Sequence, residues 1–125
     1  CSLDLKSNKL EFAGSKQRLF HLSNNTITEF RTDNIEIGNT IENKFNQFEL
    51  SLQKNDVIYL FTDGYPDQKG GPDKTKLYYE PFKEYLSMKN PDTLESKKVF
   101  LAKQMENWKG SEDQIDDMLV FGIRI

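Results

Sequence analysis

The fold of this chain is decided by residues 57–64, which read Val-Ile-Tyr-Leu-Phe-Thr-Asp-Gly. Five apolar residues in a row are typical of a strand that is buried on both faces at the centre of a sheet. The run stops at Asp63, and a carboxylate beside a dry strand is unfavourable unless a cation or hydrogen-bond donors compensate its charge. Gly64 has no side chain, so a turn or another group can approach it closely. The stretch therefore predicts a central strand that presents a carboxylate at its end.

A second apolar run, Met-Leu-Val-Phe-Gly-Ile-Arg-Ile at residues 118–125, begins directly after the acidic pair Asp116 and Asp117. If the two runs are antiparallel neighbours in one sheet, the end of the first lies beside the start of the second. Asp63 and Asp116 would then meet at one edge of the sheet, within reach of one cation. Mg²⁺ and Mn²⁺ prefer oxygen ligands, so the two runs predict half of a metal site.

The same acidic residues also have a purely structural interpretation. Asp63 and Gly64 could form a simple turn, and Asp116 and Asp117 could be a solvated start of a strand, because Asp-Gly and Asp-Asp pairs are common in turns. Spacing alone favours this structural interpretation over a metal site.

Length and composition restrict the class of protein. The chain has 125 residues, which is the size of one domain, and its net charge is −3 with no basic stripe, which argues against nucleic acid as a partner. Cys1 is the only cysteine, so an intrachain disulfide is excluded. No apolar run has the length of a membrane span and the start lacks a signal-peptide pattern, so we expect a cytoplasmic domain.

The remaining patterns predict an α+β fold. The first 30 residues contain short alternating runs separated by turns, which predict a β-meander, and residues 48–52 alternate as a half-buried strand does. Residues 65–76 are expected to form a loop; its Gly70-Gly71-Pro72 segment could cradle phosphate, but a plain loop or flap is favoured.

Two helices are predicted before the last strand. The first covers residues 79–88, and the second begins after Asp92 as the N-cap, with Glu95 completing a capping box, and ends at Gly110. The order of elements predicts one or more antiparallel sheets with this helix pair packed on a face.

Five motifs, in this order along the chain, resemble the SpoIIE-like branch of the metal-dependent (PPM-type) serine/threonine protein phosphatases. They are Leu-Glu-Phe-Ala-Gly at 10–14, Phe-Thr-Asp-Gly-Tyr-Pro-Asp-Gln at 61–68, Gly-Gly-Pro at 70–72, Asn-Trp-Lys-Gly at 107–110 and Gln-Ile-Asp-Asp-Met-Leu-Val at 114–120. The resemblance covers only the C-terminal part of the family's catalytic domain. It implies that residues 1–125 are one segment of an incomplete domain with part of an α-β-β-α sandwich.

The resemblance also implies a chemistry. Members of the family hold two Mn²⁺ or Mg²⁺ ions, which activate a water that attacks the phosphorus of phosphoserine or phosphothreonine. By position, Asp63 and Asp116 correspond to metal ligands. Gly64, Asp67 and Asp117 are accessory positions, and no catalytic residue beyond the metal ligands is implied.

One part of the family pattern is missing from the chain. The bridging aspartate of an Asp-x-x-Gly-His-Gly-type motif lies upstream in relatives, whereas this sequence has one histidine, His21, in a strand pattern that favours a structural role. We therefore expect the full-length parent to be the phosphatase and the fragment alone to be inactive. The alternative is a non-catalytic interaction module or pseudophosphatase, whose parent lacks the upstream aspartate too.

The resemblance implies partners as well. The expected substrate is a phosphorylated protein in bacterial signal transduction, such as an anti-sigma-factor antagonist, and another domain of the parent could tether it to a membrane. Because an incomplete domain leaves apolar strand faces and edges uncovered, we expect the fragment to self-associate, as a dimer or larger assembly.

Overall fold

The structure is a computed structural model that describes residues 1–38, 45–90 and 92–125. It contains short strands and three helices, in this order: β1 (Ser2–Asp4), β2 (Lys9–Phe12), β3 (Arg18–Ser23), β4 (Thr26–Arg31), β5 (Phe48–Ser51), β6 (Val57–Phe61), α1 (Gly64–Asp67), β7 (Lys69–Gly70), β8 (Thr75–Lys76), α2 (Tyr79–Ser87), α3 (Leu94–Lys109) and β9 (Val120–Arg124). Within these described ranges, no helix combines the length and the apolar character needed to cross a bilayer.

The strands form two main antiparallel sheets. The smaller has the order β1-β2-β5, and the larger has the order β4-β3-β6-β9. Strand β6 lies between β3 and β9, with Phe61 opposite Val120. Four of its five residues are buried, which confirms the prediction of a central strand covered on both faces.

Alternate side chains of β6 point into two separate cores. Val57, Tyr59 and Phe61 pack with Phe82 and other apolar residues of α2 and α3. Ile58 packs instead with apolar residues of the smaller sheet, among them Leu10, Phe12 and Leu50. The layers are therefore small sheet, large sheet and helix pair, which confirms the predicted α+β fold with helices on one face.

The predicted β-meander in the first 30 residues is wrong. Strand β2 pairs with β1 and β5 in the smaller sheet, whereas β3 pairs with β4 and β6 in the larger one. The chain crosses between the sheets near Ser15, which forms a parallel bridge to Asp33. Alternation of apolar residues shows that a strand has one buried face, but it does not show which sheet the strand joins.

The loop predicted at residues 65–76 is also more ordered than expected. It contains the single turn α1 directly after Asp63, and a two-residue hairpin of β7 and β8. Short elements of this kind carry too few residues to show a periodic pattern in the sequence.

Both longer helices are confirmed, with one change at a boundary. The N-cap of α3 is Thr93, one residue after the predicted Asp92: its hydroxyl accepts a hydrogen bond from the Ser96 backbone N–H at 3.1 Å. Gly110 ends the helix in the left-handed region, with φ at 55°, as predicted.

Candidate metal centre

The end of β6 is tied to the segment that leads into β9 by Thr62. The Thr62 backbone N–H donates to the Leu119 carbonyl at 3.0 Å. Its hydroxyl donates to the Asp117 carbonyl at 2.7 Å and accepts from the Leu119 N–H at 2.9 Å. These three hydrogen bonds extend the pairing of the two strands to the acidic residues. Sequence analysis did not predict this role of Thr62. The only available signal was its place in the Thr-Asp-Gly part of the motif at residues 61–68.

Gly64 allows the two segments to approach more closely than any other residue would. A Cβ atom at this position would lie 2.4 Å from the Asp117 carbonyl oxygen and 3.3 Å from the Asp116 carbonyl carbon. Contacts this short with backbone atoms force a shift of one segment. Gly64 is therefore required for the close packing of the Asp63 segment against the Asp116 segment, whose carboxylates form what we call the acidic edge of the sheet.

Asp63 and Asp116 are both exposed and lie on these two adjoining segments. Asp63 is the N-cap residue of α1, and its carbonyl accepts the Asp67 N–H at 2.9 Å while its carboxylate makes no capping hydrogen bond. The Asp116 carboxylate accepts the Asp117 N–H at 2.7 Å. The predicted antiparallel pairing therefore holds, and it brings the backbones of the two predicted ligands to one edge of the larger sheet.

The accessory acidic residues differ in their surroundings. Asp67 is half-buried and forms an ion pair with Lys76, whose Nζ lies 2.6 Å from its carboxylate. This hydrogen bond raises the pKa of Lys76, and the charge of nearby Asp63 adds to the effect. Asp117 is exposed, and its carbonyl is occupied by Thr62.

The donors among the described residues fit a hard divalent cation in type, but they are too few to surround one. Mg²⁺ and Mn²⁺ take carboxylate oxygens and retain waters, and exposed carboxylates of Asp63 and Asp116 meet that requirement. Among the described residues, however, no three His, Cys, Asp or Glu side chains are grouped closely enough to hold a metal ion. The chain therefore offers part of a coordination shell.

A cationic cluster borders the same edge. Asp63 lines a cleft of about 50 Å³ together with Lys16, Arg18 and Tyr79, and the Arg18 guanidinium lies 3.9 Å from the centre of the Tyr79 ring. Arg18 also forms an ion pair with Glu29. Sequence analysis did not predict this cleft, because its residues come from the start of β3 and the segment before it, from the end of β6 and from α2.

Glu29 is the anion that Arg18 shares with two further cations, Arg31 and Lys83. Its carboxylate also contacts Arg31 at 2.7 Å and Lys83 at 2.9 Å. Burial acts to raise the pKa of Glu29, but the hydrogen bonds from Arg31, Lys83 and Arg18 outweigh burial and lower it to about 2. Glu29 is therefore ionised throughout the physiological range.

The glycines of the Gly-Gly-Pro segment have a structural explanation. A Cβ on Gly70 would lie 2.0 Å from the Trp108 carbonyl oxygen, and one on Gly71, whose φ is 68°, would lie 2.8 Å from the Trp108 ring. The Trp108 indole N–H donates to the Gln68 carbonyl at 3.0 Å. The two glycines thus allow the β7–β8 hairpin to pack against the backbone and the indole ring of Trp108.

His21 lies away from the acidic edge. Its Nε2 is 2.7 Å from the carboxylate of Asp56, the residue that precedes β6. The buried Asp56 carboxylate also accepts the Gln53 N–H at 2.8 Å. His21 is opposite Ile58 in the sheet register and its side chain is mostly buried, so it has the structural role that the sequence favoured.

The sequence profile of the family described as Stage II sporulation protein E (SpoIIE) matches residues 1–125, the whole chain. No protein among the curated sequences matches it significantly. The SiaA PP2C domain of Pseudomonas aeruginosa superposes with a TM-score of 0.88 at 24% identity, over 98% of this chain and 49% of that one.

Two structures from Bacillus subtilis have the same fold. The PP2C phosphatase domain of SpoIIE with a fragment of its regulatory domain gives a TM-score of 0.76 at 21% identity, over 98% of this chain and 36% of that one. The Mn-presoaked SpoIIE phosphatase domain gives a TM-score of 0.70 at 21% identity, over 99% of this chain and 53% of that one. These likenesses establish a PP2C-type fold, and the chain spans about half the length of these structures or less.

Proposed function

Because the chain belongs to the SpoIIE family, we propose that residues 1–125 are the C-terminal segment of a phosphatase domain whose full-length form hydrolyses phosphoserine and phosphothreonine. The coverage supports this proposal, since nearly all of this chain superposes on about half of the SiaA domain. The parent is then a bacterial signalling phosphatase that depends on Mn²⁺ or Mg²⁺.

The observation that carries the proposal is the junction at Thr62 and Gly64. It holds the Asp63 segment against the Asp116 segment by hydrogen bonds of 2.7 to 3.0 Å and by a contact that tolerates no side chain. The exposed carboxylates of Asp63 and Asp116 on these segments stand at the positions that correspond to metal ligands in the resembling family. Asp63 and Asp116 would hold the metal, which when bound lowers the pKa of a coordinated water and polarises the phosphate.

The isolated chain is expected to be inactive, because its two ligands leave most of the coordination shell to the upstream part of the domain. The remaining residues have supporting roles in this proposal. Thr62 and Gly64 fix the spacing of the two segments, and the Lys76 ammonium orients Asp67 by the ion pair at 2.6 Å.

Phosphate release by the full-length parent tests this function. With a phosphoserine peptide, release should depend on Mn²⁺, and Asp63→Asn should abolish it. Asp73→Asn is the matched control, because Asp73 is an exposed aspartate in the hairpin between β7 and β8. Release that is independent of metal, or that survives Asp63→Asn, would refute the proposal.

A second candidate is a pseudophosphatase or interaction module. It is compatible with the finding that no three metal-binding side chains are grouped together among the described residues, a finding that an incomplete phosphatase domain explains equally well. The parent's residues upstream of Cys1 separate the two candidates. An Asp-Gly pair at the end of a strand there supports the enzyme, and its absence together with a failure to bind Mn²⁺ supports the module.

The partners follow from the same proposal. The substrate is a phosphorylated protein. A phosphorylated anti-sigma-factor antagonist is the first candidate to assay, with an unrelated phosphoprotein as the control. Nucleic acid is not a partner, the domain works in the cytoplasm, and any membrane attachment belongs to another domain. The isolated fragment self-associates through its uncovered strand β9.

A further inference from the structure

A cavity of about 490 Å³ opens at the end of the larger sheet where β6 begins. Asp63 follows the other end of β6, so the strand's five residues separate the cavity from the acidic edge by roughly 16 Å. The cavity is walled by the β3–β4 turn, the turn before β6, the C-terminal end of α2, and Arg124 of β9. Its volume lies in the range of pockets that bind small molecules.

Positive charge predominates in the lining of this cavity. The lining contains four cationic residues and two carboxylates, a difference of two positive charges in a chain whose net charge is −3. They are Lys54, Lys89, Lys97, Arg124, Asp56 and Asp92. The Asp56 carboxylate is already occupied by His21 and the Gln53 N–H. Among the described residues, none of the four cations has a carboxylate within ion-pair distance.

Lys97 is the least usual of these residues, because it is only 5% exposed and still has no anionic partner in the described ranges. Its ammonium donates to the carbonyls of Tyr85 at 3.1 Å and Met88 at 2.7 Å, at the C-terminal end of α2. An ammonium has three N–H donors, so one is left after these two bonds. Burial lowers the pKa of Lys97, and the nearby charge of Arg124 lowers it further.

Arg124 also lacks an anionic partner among the described residues, but it is exposed whereas Lys97 is buried. Its guanidinium donates to the backbone carbonyl of Asp92, a neutral group, and retains other N–H donors. Lys97 and Arg124 are neighbouring cations that have no anionic partner among the described residues, so each disfavours the charge of the other. The Lys97 ammonium also lies 5.7 Å from the centre of the Phe100 ring. An anion placed between them would remove that repulsion and satisfy the remaining donors.

We propose that this cavity binds a small phosphorylated molecule, with its phosphate held between Lys97 and Arg124. Side chains of the two turns, Asn24, Asn25 and Asn55, supply further hydrogen-bonding groups. Leu22 and Met88 supply apolar surface for the rest of the ligand. Because the site lies at the opposite end of the sheet from Asp63, its ligand is distinct from the phosphoprotein substrate and binds without the metal.

Pyrophosphate is a suitable probe for the charge of this site. It is titrated into the 125-residue chain at constant ionic strength with a chelator present, so that divalent metal plays no part. The temperature midpoint of unfolding should rise with pyrophosphate concentration. Amide resonances of Asn24, Asn55 and Lys89 should shift, whereas that of Asp116 should not.

Variants make the test specific. Arg124→Gln should weaken pyrophosphate binding roughly tenfold or more, since a charged hydrogen-bonding partner is lost. Lys103→Gln is the matched control: Lys103 is exposed on α3 outside the cavity lining, and binding should be unchanged. Lys97→Met should also abolish binding, but it removes the hydrogen bonds to the carbonyls at the C-terminal end of α2 and so affects the fold as well. Arg124→Gln is therefore the decisive variant for binding. The proposal would be overturned if pyrophosphate did not bind, or if Arg124→Gln and Lys103→Gln weakened binding equally. It would also be overturned if pyrophosphate shifted the amide resonances of all lysines.

Discussion

The hydroxyl of Thr62 donates a hydrogen bond of 2.7 Å to the backbone carbonyl of Asp117, a residue 55 positions later in the chain. This bond joins the end of one buried strand to the approach of another, and each segment carries one of the predicted metal ligands. The position of Asp63 relative to Asp116 therefore depends on an uncharged side chain that binds no metal itself.

Replacing Thr62 by valine tests this dependence. The substitution keeps the shape but removes the hydroxyl, so the Asp117 carbonyl and the Leu119 N–H both lose their partner. We expect the free energy of unfolding to fall by about 1–3 kcal/mol in urea denaturation. Thr28→Val is the control, because Thr28 is an exposed strand residue of β4. Equal effects of the two substitutions would show that the hydroxyl contributes nothing specific.

Gly64→Ala should be more damaging than its size suggests. The new methyl group would meet the Asp117 carbonyl oxygen at 2.4 Å, a backbone atom that cannot rotate away. We expect a loss of roughly 1–3 kcal/mol from overpacking, and weaker Mn²⁺ binding by the full-length parent. Gly14→Ala serves for comparison, since its methyl group would meet a Thr32 side-chain carbon at 3.3 Å. A stable Gly64→Ala protein with normal metal affinity would contradict the close-approach explanation.

The cluster around Glu29 predicts a pH dependence of stability. The pKa of Glu29 is about 2 in the folded protein, below its ordinary value of 4.5. A lowered pKa means that its contribution is present above pH 4.5 and is lost as the pH falls from 4.5 towards 2. We expect about 1–2 kcal/mol of the free energy of unfolding to disappear in this window, after allowance for solvent screening.

The free energy of unfolding, measured by urea denaturation, should fall less between pH 7 and pH 3 for the Glu29→Gln protein than for the unmodified protein. Glu84→Gln is the control, because Glu84 is exposed on α2. If Glu29→Gln leaves the pH profile unchanged, the cluster does not stabilise the folded state.

Strand β9 predicts self-association of the fragment. It is the edge strand of the larger sheet, and Phe121 on it is 51% exposed, next to Leu119 at 58%. An edge strand with exposed apolar side chains pairs readily with another chain. Light scattering should therefore detect a dimer or larger species, and Phe121→Lys should shift it towards monomer. Val99→Lys changes an exposed apolar residue of α3, away from β9, and should leave the assembly intact. A fragment that stays monomeric at high concentration would exclude this prediction.

The central part of the fold could be predicted because β6 and β9 carry strong apolar runs that end or begin at acidic residues. An antiparallel arrangement then places the end of β6 beside the start of β9, as the pairing of Phe61 with Val120 shows. The assignment of β2 and β3 to different sheets could not be predicted, because both have the same alternating pattern. The sequence does not decide the N-cap of α3, because Asp92 and Thr93 are both good capping residues; the structure uses Thr93.

The surroundings of the site were less accessible to sequence reasoning. Thr62 acts through a hydrogen bond to a residue far along the chain, and no local pattern marks such a contact. The cations around Glu29 come from β3, β4 and α2, so their convergence depends on the packing of those elements. The cavity beside Lys97 arises in the same way, from parts of the chain that show no common motif.

A crystal structure of the full-length domain grown with Mn²⁺ tests the central claim most directly. Anomalous diffraction at the manganese edge should locate an ion that takes carboxylate oxygens from both Asp63 and Asp116. Manganese bound elsewhere, or carboxylates of these two residues too far apart to share one metal centre, would contradict the account.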